Sequence, residues 1–193
     1  AFGLFDKTGL GLPGESTGVH LSYADFSSNI VSLSVYSFGQ TFTVTPIQLV
    51  TAISAVANDG MLMKPYIVKE KRDSAGNTVE TIAPVEVRQV ISKETSDTVC
   101  QILESVVSEG TGSNAYVAGY RVGGKTGTGE KVSLPAEERN GNYVVSFVGI
   151  APCDDPQVCV LVTLDHPVKG KNSYRSGGIM AAPAVGNIMS EIL

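Results

Sequence analysis

The spacing of apolar residues predicts a helix that begins at Pro46 and ends before Asn58. Thr45 suits the capping position, Pro46 the first helical position, and Gln48 completes a capping box with Thr45. Residues 58–60, with the sequence Asn-Asp-Gly, supply a stop signal. An apolar stripe recurs at helical intervals and is expected to face the core; it comprises Leu49, Val50, Ile53, Val56 and Ala57.

Two further helices follow from the same kind of pattern. Ser92 caps the first of them, and Gly110 and Gly112 end it. Its apolar face is formed by Val99, Ile102, Leu103, Val106 and Val107. The other helix is expected to close the chain over 179–193, interrupted early by a proline, after a turn-rich connection at 172–178.

Runs of β-branched and other apolar residues predict the strands. Segments 66–70 and 78–82 flank a turn signal at 73–77 and are interpreted as a hairpin. Two more strands are expected at 143–150 and 157–165. The latter is almost wholly apolar, as is typical of a central strand covered on both faces.

These elements favour an α/β chain of the α+β type, with an antiparallel sheet packed between helices. Residues 1–40 are rich in glycine and serine and are expected to form loops with short elements. Three consecutive strands precede the closing helix if the segment 121–131 is extended. We expect one domain over residues 1–193.

Composition excludes several classes of function. The 193 residues are 42% hydrophobic and 17% charged, which is typical of a folded chain. A net charge of -5 without any basic run argues against a nucleic-acid partner. No apolar stretch approaches the roughly 20 residues that a membrane span needs.

The cysteines and histidines offer little chemistry, and no metal or cofactor is implied. Cys100 falls within the second predicted helix and is expected to be buried as a small apolar residue. Cys153 and Cys159 flank a turn signal, so they could form a disulfide or remain free thiols. His20 and His166 lack the spacing of a zinc site.

Residues 123–129, Gly-Gly-Lys-Thr-Gly-Thr-Gly, fit two different chemistries. Counted from Gly119, they complete the phosphate-loop pattern G-x-x-x-x-G-K-[S/T]. Counted from Lys125, they contain the K-T-G triplet of acyl-serine enzymes that react with penicillin. A phosphate loop needs a helix directly after it, and two glycines and Pro135 disfavour one here. A glycine-rich hairpin with an exposed lysine is a third interpretation of the triplet alone.

A series of blocks along the chain resembles the transpeptidase domain of class B penicillin-binding proteins. Each block alone is weak, but together they occur in the family's order along essentially the whole chain. The blocks lie at 1–5, 9–15, 37–40, 44–49, 57–60, 64–65, 122–128, 130–131, 146–152, 177–178 and 181–183.

The resemblance implies a five-stranded sheet in which the strand at 121–131 borders the active-site cleft. It also implies that the backbone N–H of Thr128 forms half of an oxyanion hole. Lys125 would place a cation near the substrate carboxylate, which the hydroxyls of Thr126 and Thr128 would bind, and Gly127 would let the substrate backbone approach. Strand alternation places Thr126 and Thr128 on one face and Lys125 and Gly127 on the other. Lys125 and Thr128 are thus the candidate catalytic residues.

Two of the family's three active-site motifs are absent. No serine has a lysine three positions later, so the S-x-x-K nucleophile is missing. Ser27-Ser28-Asn29 fits S-x-N by letters but follows the Leu-Pro-Gly-Glu block, which S-x-N precedes in the family. We interpret it as a chance match in a polar loop. The chain is therefore expected to be the C-terminal part of a transpeptidase domain, without a nucleophile and inactive alone.

The resemblance further implies ligands, partners and a location. The ligands would be peptidoglycan stem peptides and β-lactams, and the main partner would be the upstream half of the same domain. An upstream segment would anchor the parent protein at the extracytoplasmic face of the bacterial membrane. The hairpin at 66–82 is a candidate surface for other cell-wall synthesis proteins. A β-lactamase, a β-lactam sensor, a non-catalytic scaffolding module and a nucleotide-binding module remain as alternatives.

Overall fold

The computed structural model describes residues 1–131, 134–139, 141–168 and 174–193. The helices are α1 Tyr23–Ser28, α2 Ile30–Ser37, α3 Pro46–Ala57, α4 Lys93–Ser108, α5 Ala136–Arg139, α6 Gly177–Met180 and α7 Ala182–Ile192. The strands are β1 Met61–Lys64, β2 Glu70–Arg72, β3 Thr78–Thr81, β4 Val85–Gln89, β5 Gly123–Glu130, β6 Tyr143–Ala151 and β7 Val158–Asp165.

Helix α3 confirms the predicted capping box. The Thr45 hydroxyl accepts from the Gln48 N–H at 3.3 Å, and the Gln48 side chain accepts from the Thr45 N–H at 2.8 Å. The same buried Gln48 side chain donates to the carbonyl of Asp6 at 2.7 Å, which ties the N-terminal segment to the helix. Helix α4 likewise begins at its predicted cap, where Ser92 accepts from the Thr95 N–H at 3.2 Å.

The main sheet is antiparallel and has the strand order β5-β6-β7. Among the described residues β6 is the central strand and β7 lies at an edge, whereas the sequence predicted a central position for the apolar segment 157–165. Its residues Val158, Val160 and Val162 are only partly buried against the core. Among the described residues this sheet has three strands, not the five that the resemblance implied.

Helices cover both faces of the sheet, as the predicted fold class requires. Alternate β6 residues, among them the fully buried Phe147, pack towards Val185 and Met189 of α7. On the opposite face, the fully buried Ile150 packs with Val56 of α3 and Leu103 of α4. The sheet is therefore held between α3 and α4 on one side and α7 on the other.

The smaller elements correct the sequence predictions in detail. The hairpin turn lies at 73–77 as predicted, but its first strand is Glu70–Arg72 rather than 66–70. Strands β1 and β4 pair with each other and were not predicted. The loop-rich region 1–40 contains the two helices α1 and α2.

The closing helix is divided into α6 and α7. The break falls at Ala181, and Pro183 lies in the first turn of α7, where a proline is tolerated. Part of the predicted connection at 172–178 lies outside the described residues. No helix among those described has both the length and the apolar character needed to cross a membrane.

All three cysteines are free thiols. Cys100 and Cys153 are buried in the apolar cluster between α3, α4 and the sheet, which confirms the prediction for Cys100, and the partly buried Cys159 packs against this cluster. Burial raises the pKa of the Cys153 thiol to about 12 and raises the pKa values of the Cys100 and Cys159 thiols in the same direction.

The capping box predicts the effect of Thr45→Ala. Loss of the hydroxyl leaves the Gln48 N–H without its capping acceptor, so we expect the free energy of unfolding to fall by about 1 kcal/mol. Urea unfolding followed by circular dichroism measures the change. Thr98→Ala is the control, because Thr98 lies inside α4 on an exposed face and should change stability by less than about 0.5 kcal/mol. Equal stability of Thr45→Ala and the unsubstituted chain would contradict the assignment.

The raised pKa of Cys153 predicts a pH-dependent stability. An unfolded thiol titrates near pH 8.5, so above about this pH the unfolded chain has lost a proton that the folded chain keeps. The contribution of Cys153 to stability is therefore complete below about pH 8.5 and declines as the pH rises towards about 12. Urea unfolding in reducing buffer should show a smaller decline for Cys153→Ala than for the unsubstituted chain. Parallel pH curves would show that the Cys153 thiol does not titrate as described.

Candidate functional site

Strand β5 carries the Lys-Thr-Gly-Thr sequence along an edge of the main sheet. Among the residues that the structure describes, it pairs with β6 alone, with Lys125 opposite Val148 and Thr126 opposite Phe147. The strand continues through Thr126 to Glu130, with no helix after the threonine. This extended backbone rules out the phosphate-loop interpretation, which requires a helix there.

The backbone of β5 directs alternate groups towards this free edge. Just beyond the paired residues of β5 and β6, the Lys131 N–H donates to the Asn142 carbonyl at 3.0 Å. Because backbone groups alternate in direction along a strand, the odd-numbered residues of β5 direct their N–H and C=O groups towards β6. The N–H and C=O groups of Thr126 and Thr128 therefore point away from β6. The described residues provide no acceptor for the Thr128 N–H, which leaves a hydrogen-bond donor at the sheet margin.

The side chains of β5 alternate as the sequence predicted. Thr126 and Thr128 share the face of Phe147, whereas Lys125 and Gly127 lie on the face of Ser146. The Lys125 side chain nevertheless crosses the margin. Its Nζ atom donates to the Thr126 carbonyl at 3.1 Å and lies 3.4 Å from the Thr126 hydroxyl. The ammonium group thus reaches the side of the strand that carries the two threonines.

No acidic side chain among the described residues neutralises the charge of Lys125. Both of its hydrogen-bond partners are neutral oxygens of Thr126, and its side chain is exposed. In contrast, Lys93 donates to Asp59 at 2.6 Å and Lys131 donates to Asp165 at 2.8 Å. Lys125 is therefore a cation that can pair with a carboxylate from outside the chain.

Two residues outside β5 contact Thr128, and sequence reasoning gave neither of them a role. The Gly177 N–H donates to the Thr128 hydroxyl oxygen at 3.2 Å. The Gln40 side-chain amide donates to the Thr128 carbonyl at 3.4 Å. Both residues belong to blocks that carry the family resemblance, and this was the one signal in the sequence that pointed to them.

The Thr126 hydroxyl has a further polar neighbour on the same side of the strand. The hydroxyl of Thr111, in the loop after α4, lies 3.5 Å from the Thr126 hydroxyl. Sequence reasoning did not single out Thr111. Hydroxyls and a cation therefore line this face: Thr111, Thr126 and Thr128 together with the Lys125 ammonium.

Three glycines of β5, Gly123, Gly124 and Gly127, allow close packing against neighbouring side chains. A Cβ atom at Gly124 would lie 2.5 Å from the ring of Phe147, and one at Gly123 would lie 2.5 Å from the sulfur of Cys153. A Cβ atom at Gly127 would overlap the hydroxyl of Ser146. Larger side chains at these positions would push β5 away from β6.

An ion pair fixes the start of β5. The Arg121 guanidinium donates twice to Glu104 of α4, at 2.8 and 2.7 Å, and lies 3.5 Å from Asp154. The hydrogen bonds from Arg121 lower the pKa of the Glu104 carboxyl, so the pair stays charged. Arg121 therefore connects the strand to the helix beside it.

At the end of β5, Lys131 pairs with Asp165 and lies 3.0 Å from the His166 ring. One other sequence interpretation is corrected by the structure. The Ser27–Asn29 segment is not a polar loop. Its serines end α1, and the Asn29 side chain caps α2 by accepting from the Val31 N–H at 2.9 Å.

The structure has a cleft that lies away from this strand. A cleft of about 420 Å³ runs between α3 and β1, and none of its lining residues belongs to β5. The candidate site is instead an open sheet edge that lacks an opposing wall. In the described ranges, no group of three or more histidine, cysteine or acidic side chains is arranged to hold a metal ion.

Comparison with known proteins finds the same family along nearly the whole chain. The model of the penicillin-binding protein transpeptidase domain matches residues 1–190. Stage V sporulation protein D of Bacillus subtilis is 48% identical over 193 residues, which cover 100% of this chain and 29% of that protein. Penicillin-binding protein PbpB of Mycobacterium tuberculosis is 36% identical over 196 residues, which cover 97% of this chain and 28% of that protein.

Solved structures agree with the observed fold. Penicillin-binding protein 3 of Mycobacterium tuberculosis, complexed with aztreonam, superposes with a TM-score of 0.84 at 32% identity over 99% of this chain and 43% of that chain. The transpeptidase domain of penicillin-binding protein 3 from Burkholderia pseudomallei superposes with a TM-score of 0.81 at 33% identity over 100% of this chain and 54% of that chain.

The chain thus spans less than a third of the length of the curated relatives described above, and about half of a solved transpeptidase domain. The match to the family model covers nearly every residue, and the Lys-Thr-Gly-Thr strand lies at a free sheet edge. The chain belongs to the penicillin-binding protein transpeptidase domain family.

Proposed function

We propose that this chain supplies one wall of the active site of a peptidoglycan D,D-transpeptidase whose nucleophilic serine lies in an upstream part of the parent protein. In the reaction, the serine oxygen bonds to a carbonyl carbon of the stem peptide, the peptide C–N bond breaks, and the leaving amine takes up a proton. An amine of a second stem peptide then displaces the serine and forms the cross-link. A β-lactam would acylate the same serine.

The outward N–H of Thr128 is the observation that carries this proposal. Negative charge develops on the carbonyl oxygen during acyl transfer, and a fixed backbone N–H stabilises it without reorganising. Thr128 presents such a donor at the free edge of β5, with its carbonyl already bonded to Gln40. The amide of the upstream serine would complete the oxyanion hole.

The neighbouring groups fit a substrate carboxylate. Within the part of the chain that the structure describes, the Lys125 ammonium has only neutral partners, and the hydroxyls of Thr126 and Thr128 lie on the same side of the strand. Charge-assisted hydrogen bonds of this kind are stronger than those between neutral groups. Lys125 and Thr128 are therefore assigned catalytic roles, and residues 125–128 are assigned to substrate binding, with Gly127 offering backbone without a side chain.

The upstream half of the domain is the partner that the chain requires. The family resemblance implies five strands for the sheet, and the described residues contain three of them. The free edge of β5 is assigned to the cleft. The two remaining strands would therefore pair along the free edge of β7, whose apolar residues are incompletely buried.

Helices α1 and α2 offer a second surface for that upstream half. Tyr23 is 85% exposed and Ile30 is 82% exposed, and neither helix buries an apolar residue. Solvated apolar side chains on neighbouring helices are typical of a contact surface. We assign this surface to the upstream half rather than to other cell-wall synthesis proteins.

The parent protein would act where its substrate lies, at the extracytoplasmic face of the bacterial membrane. Its anchor would lie upstream, as would the missing S-x-x-K and S-x-N motifs. Other cell-wall synthesis proteins could contact the exposed hairpin of β2 and β3, as expected from its sequence.

Covalent labelling tests whether the nucleophilic serine lies in the upstream part of the parent protein and not in this chain. A fluorescent penicillin should label the parent protein at its upstream serine, whereas this 193-residue chain alone should remain unlabelled. Denaturing gel electrophoresis with in-gel fluorescence measures both. Labelling of the chain alone would show that it contains a nucleophile, and an unlabelled parent would overturn the assigned activity.

Substitution of Lys125 tests the carboxylate role. In the parent protein, Lys125→Met should lower the second-order rate constant of acylation by penicillin about tenfold to a hundredfold, because a hydrogen bond to a charged group is lost. Stopped-flow fluorescence measures the rate. Lys71→Met is the matched control, since Lys71 lies on the exposed hairpin and pairs with Glu80 there. A rate within twofold of the unsubstituted protein would remove Lys125 from the site.

A further inference from the structure

Helix α6 begins directly against β5 and donates one backbone hydrogen bond to it. The Gly177 N–H, in the first turn of the helix, donates to the Thr128 hydroxyl oxygen at 3.2 Å. In an isolated helix this N–H would lack a partner. The bond therefore gives the Gly177 N–H a hydrogen-bond partner and also holds the Thr128 side chain in position.

The bond determines what the Thr128 hydroxyl can do. A hydroxyl has one hydrogen to donate and accepts through its lone pairs. Because the Gly177 N–H occupies the acceptor side of the oxygen, the hydroxyl hydrogen must point elsewhere. Within the described ranges, no acceptor for that hydrogen lies within bonding distance, and Thr128 is exposed. The hydroxyl is thus oriented as a donor towards the open edge.

Only glycine lets the helix approach so closely. Gly177 is buried, and a Cβ atom there would overlap the Ser146 carbonyl and lie 2.8 Å from the Gly127 carbonyl. These two residues are a directly opposed pair of β6 and β5. A side chain at Gly177 would therefore move the start of α6 away from the sheet and lengthen the bond to Thr128.

The other side of α6 is held in place. The Gly178 carbonyl accepts from the side-chain amide of Asn114 at 2.8 Å, and the Gly177 carbonyl accepts from the Ala181 N–H at 2.9 Å. Ala181 and Ala182 are fully buried at the junction with α7. The donor to Thr128 is therefore fixed from the core rather than from the solvent side.

We propose that Gly177 is a positioning residue, whose N–H orients the Thr128 hydroxyl to donate to the carboxylate of the peptide or β-lactam. Gly177 itself does not contact the ligand. This inference rests on the proposed function, which assigns carboxylate binding to the β5 threonines. It adds that selectivity for the carboxylate depends on a glycine 49 positions further along the chain.

The first test compares acylation of the parent protein by benzylpenicillin and by its methyl ester. The unsubstituted protein should prefer the free acid, and Gly177→Ala should reduce that preference about tenfold or more, because a hydrogen bond to a charged group is misaligned. Gly186→Ala is the control. Its Cβ would also be crowded, 3.1 Å from Ala115, but it lies on α7. It should lower the melting temperature and keep the preference.

The outcomes of this first test separate positioning from simple destabilisation. A folded Gly177→Ala protein that keeps the full preference for the free acid would overturn the proposal. Equal loss of both rates would also overturn it, since that result indicates general damage to the site. Failure of the unsubstituted parent to react with either compound would instead contradict the proposed function.

The second test does not require Gly177→Ala to fold. Hydrogen exchange of the parent protein, resolved to single amides by mass spectrometry, should show at least about tenfold faster exchange at Gly177 in Thr128→Val, because its acceptor is gone. Thr126→Val is the matched control and should leave that amide unchanged. Unchanged exchange at Gly177 in Thr128→Val would refute the hydrogen bond, whether or not the parent acylates.

Discussion

Backbone pairing along one side of β5, with no second partner strand in the described part of the chain, is the constraint on which the candidate site depends. Because β6 takes the backbone groups of Lys125 and Gly127, those of Thr126 and Thr128 face the margin. The Lys125 ammonium donates to the Thr126 carbonyl, and the Gln40 side-chain amide donates to the Thr128 carbonyl. The carbonyl acceptors at the margin are therefore occupied, while the N–H donors at the margin have no acceptor among the described residues. This pattern fits the proposed binding of an oxyanion at the edge.

The packing around β5 makes this arrangement rigid despite its glycines. Glycine loses more conformational freedom on folding than any other residue, so a strand rich in glycine is weak by itself. Here the missing side chains let Phe147 and Cys153 come within contact of the backbone at Gly124 and Gly123. The ion pair between Arg121 and Glu104 holds the beginning of the strand. Close contact on both faces thus replaces the intrinsic stiffness that β-branched residues would give.

The sequence was informative where the signals are local and uninformative where the partners are distant. The cap of α3 depends on Thr45 and Gln48, which are three positions apart, and the alternation of Thr126 and Thr128 follows from the extended backbone alone. Gln40 and Gly177 reach Thr128 across 88 and 49 positions, and no periodicity encodes such contacts. The predicted central position of β7 differs from the observed one for a related reason. The sequence of an apolar strand does not show whether the strands that pair with it belong to this chain or are missing from it.

The position of Lys125 shows why local geometry outweighs overall charge at this edge. The chain carries a net charge of -5, which would repel a carboxylate at long range. At physiological ionic strength, however, charges separated by more than about 8 Å are largely screened. The ammonium lies within 3.4 Å of the Thr126 hydroxyl, and no carboxylate in the described ranges pairs with it. A lysine side chain is flexible and ends in a compact ammonium group, so it can cross the strand margin. The planar guanidinium group of an arginine does so less readily. The alternation that separates Lys125 from the threonines therefore does not prevent them from acting on the same ligand group.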